Sequence, residues 1–363
     1  EMEVGFSKDL SLFQLNDHPK PEVMFNEKYP FFTGSSEYMK EHFRKFSEYL
    51  KNNYLGSNSK LIEIGSNDGP FISNFDKNTA WCVEPCDNFV EKTEELGYKT
   101  YNAFWTTELA ENIVNEFGKM DLIYSANCIC HIPNLNSVFR GVNKLLKDDG
   151  VFAYEDPYLA EMLKKTSYDQ IYDEHVFIFS ITSVNNIAKL NGLELFDAQK
   201  QITHGGSMRY MLAKKGSRKI SENIRHFLKE EEELNMNTEE RYLLFKNQCE
   251  KSKKDLVDLL QKLKKQNKRV IGYGATSKST TILNYSNINE SLIEFISDTT
   301  PLKQNKFSPG MHIPVKSFSN MKEYPDYFFL SAWNHKYEIL NKERKFKSKG
   351  GKWIIHVPKV KII

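Results

Sequence analysis

A chain of 363 residues is long enough for two domains at roughly 150 residues each, and its 40% apolar content can fill sizeable cores. A net charge of +2, with basic residues alternating with acidic ones, removes the electrostatic case for a nucleic-acid partner. No apolar run approaches the ~20 residues of a bilayer span, and Glu1-Met2-Glu3-Val4 shows no basic region ahead of an apolar stretch, so neither membrane insertion nor a signal peptide is expected.

In chain order, residues 1–30 carry Pro19, Pro21 and Pro30 and read as irregular, with one strand at Ser11–Leu15. Ser36–Lys51 reads as an amphipathic helix with Met39, Phe43, Phe46 and Leu50 on one face. Strands are then expected at Leu61–Ile64, Trp81–Val83, Asp121–Ser125 and, after a helix at Val138–Lys147, Gly150–Glu155. Strands alternating with helices imply a parallel sheet covered on both faces. Residues 218–268 have helical spacing with charged outer faces (Lys229–Glu233, and leucines 256, 259, 260 and 263) and read as solvated helices joining two domains. A second α/β pattern begins at Arg269, with strands at Val270–Gly274, Ile293–Ser297, Tyr327–Leu330 and Trp353–Val357. The fold class is therefore α/β: two Rossmann-like doubly wound domains joined by a charged helical segment.

Five cysteines, an odd number in a large chain, fit a reducing cytoplasm. Neither Cys82 with Cys86 nor Cys128 with Cys130 has a second pair at zinc-ligand spacing, so no metal is expected. Position 1 is not Met, so the chain reads as a processed product or a piece of a longer, multidomain protein; a monomer is expected.

The most informative motif is Glu63-Ile64-Gly65-Ser66-Asn67-Asp68-Gly69, a strand end and glycine loop leading to a helix. This is the opening turn of a doubly wound sheet, where ligands bind at the carboxyl ends of strands. Glu84-Pro85 ends the next strand, where a carboxylate can accept both hydroxyls of a ribose. The combination suits a dinucleotide or an adenosyl donor. The loop is not Gly-x-Gly-x-x-Gly, and an acid at Glu63 sits badly with a pyrophosphate but well with the cationic methionine part of S-adenosylmethionine. Glu63, Gly65, Ser66, Asn67, Gly69, Glu84, Pro85, Ser125 and Asn127 are therefore the expected S-adenosylmethionine contacts, and a plain α/β turn is the alternative.

Two further segments carry acid–base chemistry. Ser125–His131 follows the third strand and brings His131 to the donor's edge of the sheet; Tyr172-Asp173-Glu174-His175 collects Tyr, Glu and His within four residues. Methylating a carbon beside a ketone requires a base on the carbon side and hydrogen-bond donors on the oxygen side, where the enolate forms. An imidazole near neutrality suits the first task. His175 is the expected base, Glu174 its orienting partner, and Tyr172 and His131 the oxygen-side donors.

Together these segments resemble the sugar C-methyltransferases that act on deoxysugar nucleotides. The resemblance covers nearly the whole chain: Tyr29–Met39, Glu63–Gly69, Asn127–His131, Tyr172–Ser180, His204–Arg209, Gly272–Lys278, Asp298–Lys303, Pro309-Gly310 with Ile313–Val315, and Trp333-Asn334. It implies a small N-terminal zinc-binding module, a central methyltransferase domain and a C-terminal Rossmann-like domain. It also implies a nucleotide-linked 4-keto-deoxysugar substrate held between the large domains. The family's base falls on His175, assisted by Glu174, Tyr172 and His131; a further family tyrosine matches Tyr29, although the neighbouring family aromatic falls on Phe31. Its zinc cysteines would fall on Ser7 and Leu10, and leucine cannot ligate zinc.

The resulting division is a substrate-module remnant without zinc ligands (1–28), a methyltransferase domain (29–216), a helical linker (217–267) and a C-terminal Rossmann-like domain (268–363). Gly272–Lys278 should open a helix whose free amides, with Lys278, attract phosphate; a tight packing turn is the alternative. Tyr158, His204, Tyr273, Lys278, Asp298, Lys303 and Asn334 are the expected substrate contacts; the alternatives are that Asp298 and Lys303 contact only each other and that His204 with Gly205 and Gly206 forms a hairpin turn. The expected reaction is S-adenosylmethionine-dependent C-methylation of a nucleotide-linked keto-deoxysugar. The alternatives are O- or N-methylation of a related sugar nucleotide, or a non-catalytic metabolite binder.

Overall fold

The computed structural model describes residues 2–321 and 323–363; Glu1, with which the expected N-terminal remnant begins, lies outside the described residues. The described chain forms two compact units. The first comprises residues 1–159, 173–202 and 207–234; the second comprises 160–172, 203–206 and 235–363. Of the two charged helices expected as a linker, Glu222–Glu233 falls in the first unit and Glu239–Lys265 in the second. Glu231 explains the first placement. It is buried and accepts the Tyr158 hydroxyl (2.8 Å) and the Ile181 and Thr182 amides (2.6 and 2.9 Å). Among the described residues no helix is long and apolar enough to cross a membrane.

The first unit holds strands β1 (Val4–Ser7), β2 (Leu12–Leu15), β3 (Leu61–Ile64), β4 (Ala80–Val83), β5 (Lys99–Tyr101), β6 (Met120–Ala126), β7 (Leu146–Pro157), β8 (Phe177–Ile178), β9 (Leu193–Gln201) and β10 (Ser207–Lys214). Its main sheet runs β5-β4-β3-β6-β7-β10-β9. Strands β3 to β7 are parallel, but β10 is antiparallel to both β7 and β9, so the expected all-parallel sheet is corrected to a mixed one. The helix Glu37–Asn53 is capped by Ser36, whose hydroxyl accepts the Met39 amide (3.3 Å). Its Met39, Phe43, Phe46 and Leu50 recur at spacings of three and four, so one stripe packs on Phe71, Leu122 and Tyr124 of the core.

Residues 1–30 are more ordered than their prolines suggest. β1 and β2 form a hairpin, and β2 pairs onward with β8, Phe13 opposite Ile178. Ser7 ends β1, and Leu10 lies in the turn that follows. The Leu15 amide donates to the Val176 carbonyl (2.8 Å), so the hairpin grips the chain next to His175.

A buried ion pair locks β7 to β10. Arg209 lies in register opposite Glu155, donating from Nε (2.9 Å) and approaching with Nη2 (2.8 Å). Glu155 also accepts the Tyr124 hydroxyl (3.1 Å) and contacts His42 Nε2 (2.7 Å), while the guanidinium lies 3.5 Å from the centre of the Phe46 ring. Burial alone would raise the Glu155 carboxyl; Arg209 and His42 outweigh it and hold the group at about 2.

The second unit holds β11 (Val270–Tyr273), β12 (Ile296–Ser297), β13 (Lys306–Phe307), β14 (Pro314–Lys316), β15 (Tyr327–Leu330), β16 (Lys352–Ile355) and β17 (Lys361–Ile362), in the order β13-β14-β12-β11-β15-β16-β17. The five central strands are parallel and the two edges antiparallel. Its core is built on Ile271, Phe328, Leu330, Phe346 and Trp353.

Candidate active site

The loop after β3 is shaped for close approach. Gly65 has φ +70°, a left-handed conformation that favours glycine, and a Cβ there would stand 2.5 Å from the Cys128 sulfur. Gly69 and Asn67 are also left-handed. The Asn67 amide donates to Glu84 Oε2 (2.8 Å) and the Cys86 amide to Glu84 Oε1 (3.0 Å). Glu63 accepts the Ile72 amide (3.1 Å). These partners are backbone amides rather than cations, and burial raises both carboxyls, Glu63 well above its usual range. The Ser66 hydroxyl is buried without a hydrogen-bond partner. Two desolvated acids, a loop free of Cβ at Gly65 and an orphaned hydroxyl fit a cationic adenosyl donor and oppose a pyrophosphate.

Not every expected donor contact faces a ligand. Ser125 is buried and donates its hydroxyl to the Ile64 carbonyl (2.9 Å), tying β6 to β3. The Asn67 side chain is spent on the preceding segment, accepting from the Thr33 amide and donating to the Phe31 carbonyl (both 2.9 Å). Asp68 accepts the Gly34 amide (2.9 Å). Residues 31–34 thus lie along the donor loop. Pro85 is half-buried next to Glu84. Asn127 is left-handed, and its amide donates to the Glu155 carbonyl (2.6 Å), fixing the turn after β6.

That turn carries His131. Its ring stacks on Phe25 (5.4 Å between centres, 11°) and on His175 (5.4 Å, 24°). Burial pushes the His131 imidazole down to about 4, so it is neutral at working pH, and its Nε2 is buried without a hydrogen-bond partner. His175 is 5% exposed. The Tyr29 hydroxyl donates to Glu174 Oε2 (2.9 Å), and its carbonyl accepts from the Asn88 side chain (3.2 Å). Burial and the Glu174 charge raise the Tyr29 phenol well above its usual value, with Cys86 and Glu84 contributing, so it stays a proton donor. His131, His175, Glu174 and Tyr29 therefore form one connected group in the first unit, next to the loop at Gly65. Tyr172 belongs to the second unit, where the Lys278 ammonium lies 5.6 Å over its ring.

Sequence reasoning missed Phe25, Asn88 and Asp156. Asp156 Oδ2 accepts the Cys130 amide (3.0 Å) and so holds the turn bearing His131. The available signal was its place at the carboxyl end of a strand, where ligands of doubly wound sheets bind.

The expected substrate contacts fare differently. Tyr158 is a correction: it is completely buried in the first unit and its hydroxyl is committed to Glu231, so it braces β7 instead of facing a ligand. In the second unit the helix Ser277–Tyr285 forms as expected, capped by Thr276. The expectation of free amides there is corrected in part, because Ala275 donates to Asp298 (2.7 Å) and Thr276 to Ser279 (2.9 Å). Asp298 also accepts the Thr300 amide (2.7 Å), and Lys303 donates to the Ala275 carbonyl (2.8 Å), so both residues brace the turn. The Tyr273 hydroxyl donates to Glu343 (2.9 Å). His204 is left-handed and half-buried, next to Gly205, where a Cβ would meet the Trp333 ring at 2.5 Å. Asn334 is half-buried in the short helical turn Trp333–His335.

A methyltransferase-domain family model matches residues 35–198, and a model for the C-methyltransferase C-terminal domain matches residues 202–358. The chain is 31% identical over 349 residues to the C-methyltransferase NovU of Streptomyces niveus, covering 95% of this chain and 83% of that protein. Solved structures align over about half of it. One is an S-adenosylmethionine-dependent methyltransferase from Clostridium acetobutylicum (14% identity, TM-score 0.37, 50% of this chain and 94% of that one). Another is the magnesium protoporphyrin IX methyltransferase of Synechocystis with bound S-adenosylmethionine (10% identity, TM-score 0.36, 48% and 79%). The chain belongs to the C-methyltransferase family and is an enzyme that uses S-adenosylmethionine as its methyl donor.

Proposed function

We propose that this enzyme methylates a carbon next to the ketone of a nucleotide-linked keto-deoxysugar, with His175 as the base. The substrate class rests on the family resemblance and on the kinship with NovU. The residue roles rest on one observation above all: His131, His175, Glu174 and Tyr29 are joined side by side, against the turn whose Cys128 abuts Gly65. The donor, when bound, supplies a methyl group on cationic sulfur. His175 removes the proton from the carbon, and the electron pair moves to the ketone oxygen as the enolate. Glu174 stabilises the imidazolium that forms, and Tyr29 fixes the orientation of Glu174 through its 2.9 Å hydrogen bond. Neutral His131 keeps an uncharged hydrogen-bonding edge available to the oxygen. Methyl transfer to that carbon would form the new carbon–carbon bond as the methyl–sulfur bond breaks and S-adenosylhomocysteine leaves, a step that depends chiefly on positioning. Glu84 would hold the donor's ribose, and Glu63, kept neutral by burial without a cation beside it, would ionise against the donor's positive charge.

The test is product analysis. The protein is incubated with S-adenosylmethionine carrying a 13C methyl group and a panel of nucleoside-diphosphate 4-keto-6-deoxysugars. A new carbon–carbon bond to the labelled methyl in the NMR spectrum is the expected result. A label found on oxygen or nitrogen overturns the proposal.

A further inference from the structure

One ligand atom from each of Cys130, His131 and His175 lies within 4.8 Å of the other two. The three come from two separate segments, the turn after β6 and the chain before β8. Two of them are buried, and the His131 Nε2 is itself buried without a hydrogen-bond partner. One thiol and two imidazoles are a borderline-soft donor set, suited to zinc rather than to magnesium or calcium. Zinc bonds of about 2.0–2.1 Å to nitrogen and 2.3 Å to sulfur put tetrahedral ligand atoms about 3.3–3.6 Å apart. The ligand atoms therefore need to close by at most about 1.5 Å. Behind them, Asp156 accepts the Cys130 amide (3.0 Å) and so fixes the turn that carries two of the three ligands.

We infer that Cys130, His131 and His175 form a zinc site with an open fourth position, and that zinc bound there inhibits methyl transfer by occupying the lone pair of His175. The second half rests on the role proposed above for His175; the first half does not. On binding, the Cys130 S–H bond breaks, the sulfur and two imidazole nitrogens each donate an electron pair to the metal, and the thiol proton leaves to water. No oxidant or reductant takes part. The carbon acid then meets a ring with no free pair, so the proton stays in place.

The test uses the full chain after dialysis against chelator. Cobalt(II) is titrated in as a spectroscopic stand-in for zinc. A near-ultraviolet thiolate-to-cobalt band with visible bands of tetrahedral intensity is expected, saturating at one metal per chain. Cys130→Ser should abolish the near-ultraviolet band while leaving metal-free methyl transfer within about threefold of the parent protein. His131→Gln gives a second reading and should weaken cobalt binding at least tenfold; circular dichroism shows whether each variant is folded. Absence of the band in the parent, or its survival in Cys130→Ser, overturns the site. Zinc at saturating concentration should lower turnover at least tenfold in the parent and not in Cys130→Ser. If the cobalt band is present but zinc leaves turnover unchanged, the metal site stands and the assignment of His175 as the base falls.

Discussion

Replacing Glu155 with alanine should cost the first unit about 3–5 kcal/mol, because it leaves a buried guanidinium without its counter-charge. Arg209 and His42 hold the Glu155 carboxyl at about 2 against an ordinary 4.5. At 1.36 kcal/mol per unit of pKa, that difference is about 3 kcal/mol favouring the charged, paired form. Two units in one chain need not unfold together, so the assay must be local. Hydrogen exchange of the β7 and β10 peptides, read by mass spectrometry, reports the opening of this pair of strands. A loss of 3 kcal/mol should speed their exchange more than ~100-fold. Glu155→Leu combined with Arg209→Met should lose much less than the sum of the single changes, since no unpaired charge remains. The sign with pH is fixed. The folded carboxyl titrates below the unfolded one, so its stabilisation is full above about 4.5 and is lost as pH falls through about 2. Glu155→Gln should flatten that part of the acid-stability curve. A change below 1 kcal/mol in Glu155→Ala, or unchanged exchange in β10, would refute the reasoning.

Other expectations follow from single contacts. Glu84→Ala should weaken binding of S-adenosylhomocysteine about 10–100-fold by calorimetry, the worth of hydrogen bonds to a charged carboxylate. Tyr158→Phe should cost about 1–2 kcal/mol of stability in the same exchange assay, by stripping a donor from buried Glu231, and leave KM for the sugar substrate unchanged. Leu15→Pro removes the amide that holds the Val176 carbonyl, so kcat should fall while S-adenosylhomocysteine affinity is kept, because the lesion lies at the base and not at the donor loop.

The parts legible in the sequence were those where chemistry and local pattern coincide. Glu63 to Gly69 announces a strand end, a left-handed glycine and an acid in one short run, and the 3–4 spacing of Met39, Phe43, Phe46 and Leu50 can only be helical. β10 was illegible because its buried Arg209 breaks the apolar run, and the partner that makes burial tolerable, Glu155, is far away in the chain. Of the β1–β2 hairpin, β2 was legible as the strand expected at Ser11–Leu15 and β1 was not. The hairpin is further tied down by pairing with β8, a two-residue strand with no signal of its own. Tyr158 misled because sequence cannot show whether a polar group is already satisfied, here by Glu231.

The central claim is that His175 takes a proton from the substrate carbon. It is tested most directly by proton exchange with the donor replaced by S-adenosylhomocysteine. The nucleoside-diphosphate 4-keto-6-deoxysugar that the enzyme methylates is incubated with it in deuterium oxide, and deuterium in the recovered sugar is measured by mass spectrometry. The account predicts uptake at the carbon next to the ketone with the parent enzyme, and uptake slower by about 10²–10⁴ with His175→Ala. Equal rates in the two proteins would contradict it.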